Sequence, residues 1–226
     1  DAVCRFVQAK HRSRKRAYLC FDEWNVWYKN HETDGEGKFA PHLVEEVYNL
    51  EDALVVAGFL NSFIRHADVV KIANIAQIVN VIAPILTSGD DVLLQATFFP
   101  MEMMARRGNG ISLKTVVDGP VYKTAQYGEA SYIDASAVLE GQSLHVCAVN
   151  RNLDESAEVV VAIADAAIVA LESGELLTGP GPKSVNSFEE PGVVLPRTFT
   201  DVTLSEGRAI LKLPPLSMAT VTVDIQ

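Results

Sequence analysis

Ala17-Tyr18-Leu19-Cys20-Phe21-Asp22-Glu23-Trp24-Asn25-Val26-Trp27-Tyr28 passes from a short apolar run into a polar, aromatic-rich stretch. The run at 17–21 fits a buried strand, and Asp22 and Glu23 fall where that strand gives way to a loop. The two residues are adjacent, so strand alternation places them on opposite sides. Both tryptophans of the chain lie within this stretch.

Working outward, residues 1–10 read as the end of a helix. The stretch 29–41 is polar, contains Gly35 and Gly37, and reads as a long loop. From Leu50 to His66 the apolar residues Leu50, Ala53, Leu54, Ala57, Phe63 and Ile64 follow helical spacing. Asn49 suits the N-cap, with Glu51 and Asp52 in the first turn. Residues 69–73 read as a second strand, and a mixed apolar segment follows Pro84 until Gly108-Asn109-Gly110 breaks it. Strand, helix, parallel strand is the grammar of an α/β layer, whose active sites form at the C-terminal strand ends in barrels. About 108 residues hold only a fraction of an eight-stranded barrel, which takes roughly 250.

Beyond residue 110 the pattern changes to eight to ten short strands, among them 143–149, 158–163, 208–213 and 219–225. Glu140-Gly141-Gln142, Glu206-Gly207 and Pro214-Pro215 mark turns between them. This suggests an antiparallel β-sandwich. The expected fold is therefore α/β plus all-β, with 1–108 as one domain and 109–226 as the other.

Composition narrows the function classes. The 226 residues are 48% hydrophobic and 21% charged, with a net charge of −10. An acidic chain repels nucleic acid. The basic cluster at 10–16 reads as a solvated loop between helix and strand. No apolar run reaches the roughly 18 residues of a membrane span, and residues 1–16 lack the apolar core of a secretory signal. Cys4, Cys20 and Cys147 are odd in number and separated, which suits free thiols, with Cys20 and Cys147 buried in apolar strands. No CxxC pair occurs and the five histidines show no metal-ligand spacing, so a zinc site is not expected.

A carboxylate at a strand end beside aromatic rings is the ingredient list of a glycoside hydrolase: carboxylates flank the scissile bond, and rings offer flat faces to sugars. Taken alone, such a motif is more often structural, and a lone glutamine such as Gln77 is usually an ordinary hydrogen-bonder.

Asp22-Glu23-Trp24-Asn25-Val26-Trp27-Tyr28 resembles the nucleophile signature of glycoside hydrolase family 51, the α-L-arabinofuranosidases. The resemblance continues through Asn49-Leu50-Glu51-Asp52-Ala53-Leu54, His66-Ala67-Asp68 and Ala76-Gln77-Ile78-Val79-Asn80-Val81-Ile82-Ala83-Pro84-Ile85. Tyr132-Ile133-Asp134-Ala135-Ser136-Ala137 and Ala148-Val149-Asn150-Arg151 extend it into the second half. Only the last 70 or so residues are indistinct.

The resemblance implies the last two β/α units of a (β/α)8 TIM barrel over 1–108, followed by a jelly-roll-like sandwich. Residues 17–21 become barrel strand seven and 69–73 strand eight. Glu23 is then the catalytic nucleophile, Gln77 a ligand of the bound arabinose, Trp27 a residue of the cleft rim, and Asn25 a further binding or supporting residue. The implied reaction is retaining hydrolysis of terminal α-L-arabinofuranosyl groups, without metal or cofactor, by a cytoplasmic bacterial enzyme that is commonly a homo-oligomer.

In the family the acid/base glutamate follows an asparagine. No Asn-Glu pair occurs in these 226 residues. The acid/base and much of the sugar pocket are therefore expected upstream of Asp1, and this chain alone is expected to be inactive. Two rival readings are a sandwich that acts as a carbohydrate-binding module or brace, and a related xylosidase or endoglucanase. The second half has no tryptophan and only Tyr122, Tyr127 and Tyr132 among tyrosines, which favours a brace.

Overall fold

The computed structural model describes residues 1–28, 39 and 44–226. The loop expected at 29–41, with His31, and also His42 lie outside the described residues, Phe39 apart. Helix α1 (Ala2–Lys10) leads through an exposed basic linker into strand β1 (Leu19–Trp24). In that linker Arg16 pairs with Asp68 at 3.3 Å and lies over the Tyr18 ring, as a solvated loop residue should.

Helix α2 (Leu50–Arg65) starts at Asn49. The Asn49 side chain accepts from the Asp52 N–H at 3.2 Å, and the Asp52 carboxylate accepts from the Asn49 N–H at 2.8 Å. This reciprocal box satisfies two donors that a helix start otherwise leaves orphaned. Strand β2 (Val70–Ile75) then pairs with β1 in parallel, so β1, α2 and β2 form one strand–helix–strand unit.

Two expectations about β1 are corrected. The strand runs on past Phe21 to Trp24 because β2 keeps it paired as far as Ile75. It is also not buried: Cys20 is exposed and Phe21 is 42% exposed, as is Ile72 of β2 at 50%. The cause is sparse cover. Among the described residues no third strand joins this pair, and the aromatic contacts of β1 all come from α2.

A hairpin, β3 (Ile85–Ser88) and β4 (Asp91–Leu94), and helix α3 (Phe98–Ala105) follow. Eleven strands come next. They are β5 (Ile111–Ser112), β6 (Val121–Thr124), β7 (Gly128–Ser131), β8 (Ile133–Glu140), β9 (Ser143–Asn150), β10 (Ala157–Val161), β11 (Ile168–Thr178), β12 (Leu195–Thr198), β13 (Val202–Ser205), β14 (Arg208–Leu213) and β15 (Ser217–Ile225). Six pair as an antiparallel sheet in the order β12-β11-β15-β9-β8-β5, and three as β10-β14-β13. The β13–β14 turn falls on Glu206 and Gly207, with φ of 51° and 72°, a left-handed pair that a glycine eases.

The two sheets form the expected sandwich, but the larger sheet is covered on both faces. Alternate residues of β9 and β15 go opposite ways. Val146, Ala148, Ala219 and Val221 pack against Leu211 and Leu213 of the small sheet. Cys147, Val149 and Met218 pack instead with Leu50, Ala53, Leu54 and Ala57 of α2 and Phe99 and Met103 of α3. The molecule is thus layered as helices, six-stranded sheet, three-stranded sheet. A polar strip fastens the first two layers: Asn61 donates to Asp134 at 3.0 Å, Ser136 donates to Asn61 at 2.6 Å, and Arg65 pairs with Asp134 at 2.9 Å.

Candidate active site

Because β1 and β2 run parallel, their C-terminal ends lie on one edge. The Ala76 N–H donates to the Trp24 carbonyl at 3.0 Å, which closes that edge. Glu23 precedes Trp24 by one residue and Gln77 follows Ala76 by one, across a cis peptide bond. Both side chains are exposed. Register therefore sets a carboxylate and a carboxamide, 54 residues apart in sequence, at the same end of the strand pair.

The strand is irregular at the carboxylates. Phe21 is opposite Ala73 and Trp24 opposite Ile75, so three steps in β1 match two in β2. The rings of Phe21 and Trp24 both lie 5.1 Å from Phe63 of α2. In an unbroken strand residues three apart would face opposite ways. The bulge accounts for both rings meeting Phe63, and Asp22 and Glu23 within it are both exposed. Trp24 is buried against Phe59 and Phe63, the packing role expected of it.

Asn25 faces inward. Its amide donates to the Ala76 carbonyl at 3.0 Å and to the Ile82 carbonyl at 2.5 Å, while its oxygen accepts from the Val26 N–H at 2.8 Å. Its polar atoms thus hold the segment around Gln77. Trp27 is 60% exposed at the same edge. The next residue anchors it: the Tyr28 hydroxyl donates to Asp52 at 2.6 Å and accepts from Asn49 at 3.2 Å, and the Tyr28 N–H donates to Glu46 at 3.1 Å. Burial, then the bond to Asp52, pushes the Tyr28 phenol up to about 12. Burial likewise raises Asp52 above the ordinary carboxylate value.

Sequence reasoning missed two residues beneath the site. Tyr48 is fully buried, and its hydroxyl donates to the Val26 carbonyl at 2.8 Å. Gln95, 1% exposed, accepts from the Tyr48 N–H at 2.8 Å and donates to the carbonyls of Glu46 at 3.0 Å and Ala83 at 2.7 Å. A tyrosine and a glutamine in unremarkable local sequence carry no pattern that marks them. Their partners lie 12 to 49 residues away.

His66 caps the C-terminal end of α2, and His145 contacts Thr222 at 2.9 Å in the sandwich, which leaves both structural. Among the described residues no three His, Cys, Asp or Glu gather as metal ligands, and no helix is long and apolar enough to cross a membrane.

Known proteins share this fold and much of its sequence. Residues 22–217 match the family model of the α-L-arabinofuranosidase C-terminal domain. The chain is 39% identical to an intracellular exo-α-(1→5)-L-arabinofuranosidase of Streptomyces lividans, over 96% of this chain and 34% of that protein. It is 34% identical to a Bacillus subtilis enzyme of the same description, over 100% of this chain and 46% of that protein. Among solved structures, a family 51 α-L-arabinofuranosidase from Bifidobacterium longum superposes with a TM-score of 0.88 at 28% identity, covering 98% of this chain and 45% of that one. The chain thus spans less than half the length of these relatives. With the matched model covering most of its residues, it belongs to the α-L-arabinofuranosidase family of glycoside hydrolase family 51, as a C-terminal portion.

Proposed function

We propose that this chain supplies the nucleophile end of a retaining exo-α-L-arabinofuranosidase, with Glu23 as nucleophile. The observation that carries the reading is the shared edge of β1 and β2, where Glu23 and Gln77 are both exposed beside the Trp24–Ala76 hydrogen bond. Among the described residues no third strand lies beside β1 and β2, which supports taking 1–108 as the last two β/α units of a TIM barrel, and 109–226 as a jelly-roll-like sandwich.

In this reading the Glu23 carboxylate attacks the anomeric carbon of a terminal α-L-arabinofuranosyl group as the glycosidic bond breaks. A second carboxylic acid, on polypeptide beyond these 226 residues, protonates the leaving oxygen. It then takes a proton from the water that opens the arabinosyl ester. Gln77 hydrogen-bonds the sugar, Trp27 offers a ring at the rim, and Asn25 holds the Gln77 segment. The sandwich serves as a brace, a role supported by the core it shares with α2 and α3. The parent enzyme works in the cytoplasm, a reading that the intracellular relatives support, and as a homo-oligomer.

The test uses the longer protein that contains this chain, with an aryl α-L-arabinofuranoside. Glu23→Gln should lower kcat by a factor on the order of 10⁴ or more, as loss of a nucleophile does. The 226-residue chain alone should give no turnover. Full activity in the Glu23→Gln protein would defeat the assignment.

A further inference from the structure

We propose that Gln95 is a positioning residue that locks together the two loops flanking Glu23, one carrying Trp27 and the other carrying Gln77. The consequence for turnover rests on the reading of the site given above; the mechanical link does not.

Three backbone segments meet past the ends of β1 and β2: 24–28 at and after the end of β1, 44–48 before α2, and 76–84 after β2. One backbone bond joins each of the first two to the third, Ala76 N–H to the Trp24 carbonyl at 3.0 Å and Ile82 N–H to the Val44 carbonyl at 2.9 Å, and side-chain bonds supply the rest of the fastening. Gln95 sits among them, 1% exposed, at the end of the β4 hairpin. Its oxygen takes the Tyr48 N–H, and its two amide hydrogens go to the Glu46 and Ala83 carbonyls. That ties 44–48 to 76–84. Tyr48 then passes the constraint to 24–28 through its hydroxyl bond to the Val26 carbonyl. Asn25 closes the circuit from 24–28 back to 76–84 through the Ala76 and Ile82 carbonyls.

The loop is therefore closed by three side chains, each bonded to backbone atoms. Gln95 uses both amide hydrogens and its oxygen in these three bonds, none of which goes to Glu23 or Gln77. Its effect on a sugar has to pass through the loops. A group displaced by even about 1 Å at a reacting centre loses on the order of a hundredfold in rate, so such a frame matters although no member of it reacts.

Two measurements test the link. The first is amide hydrogen exchange on the 226-residue chain. Gln95→Met keeps the length of the side chain and removes its polar atoms. Exchange should rise within 24–28 and 76–84 and stay unchanged in β9 and β15. Tyr48→Phe, which removes a single hydroxyl and keeps the fold if the larger change does not, should raise exchange in 24–28 alone. Unchanged exchange in those loops in either folded variant overturns the proposal.

The second measurement is a double-mutant cycle in the longer, active protein. Gln95→Met should lower kcat/KM ten- to a hundredfold, and adding it to Gln77→Ala should cost clearly less than the product of the two single losses. A merely structural role predicts a full product, and that result overturns the proposal. Turnover that survives Glu23→Gln would instead sink the reading of the site while leaving the exchange result standing.

Discussion

β1 and β9 each carry a cysteine among apolar neighbours, and the two cysteines have opposite fates. Cys20 of β1 is exposed, on a strand with one neighbour and one helix; Cys147 of β9 is buried between a sheet partner on each side, with helices above it. Burial is set by what covers a strand, and a run of Leu, Cys and Phe reads the same whether or not cover is present. The strand unit that holds the candidate chemistry is open, while the sheet that holds none is closed on both faces.

Thiol labelling gives the widest separation. Cys20 should react at once with an aqueous thiol reagent. Cys147, enclosed and with its thiol pushed up by burial, should react only through global opening, slower by on the order of a thousandfold or more. Equal rates would erase the contrast.

Core truncation comes second. Leu177→Ala, at a fully buried position where α2 meets the large sheet, should cost about 2–5 kcal/mol in a denaturant titration. Ile72→Ala, half-exposed on β2, should cost under about 1 kcal/mol. A similar cost at both sites would mean that β2 is covered in solution.

The smallest effect is a pH response at the seam between the two regions. The Tyr28 phenol sits at about 12 in the folded chain against an ordinary 10.0. A proton is held more tightly folded than unfolded, so this contribution to stability is whole below pH 10 and is lost as pH rises through about 12. Tyr28→Phe should flatten the stability curve in that window, read by denaturant midpoint alongside phenolate absorbance.

The elements of the fold were legible wherever the signal was local. Asn49 announced the start of α2, although the reciprocating acid proved to be Asp52. The turns at Gly141 and Gly207 marked their hairpins. Glu23, Gln77 and Trp27 were picked out by resemblance rather than by any spacing rule. What stayed hidden was non-local. The bulge at Asp22 and Glu23 depends on pairing with β2, and the frame of Tyr48 and Gln95 depends on carbonyls far along the chain. A mixed apolar stretch after Pro84 gave no notice that it would supply a hairpin, a helix and that glutamine.

Helix α2 deserves a last consequence. Its Leu50, Ala53, Leu54 and Ala57 belong to the core shared with β9, β11 and β15, while Phe59 and Phe63 hold β1. The Gly108-Asn109-Gly110 turn is a convenient place to cut the gene and a poor place to cut the protein. Swapping strand-rich halves among relatives at that joint would trade away the floor on which α2 rests, so a workable chimera has to carry the α2 footprint across with the sheet.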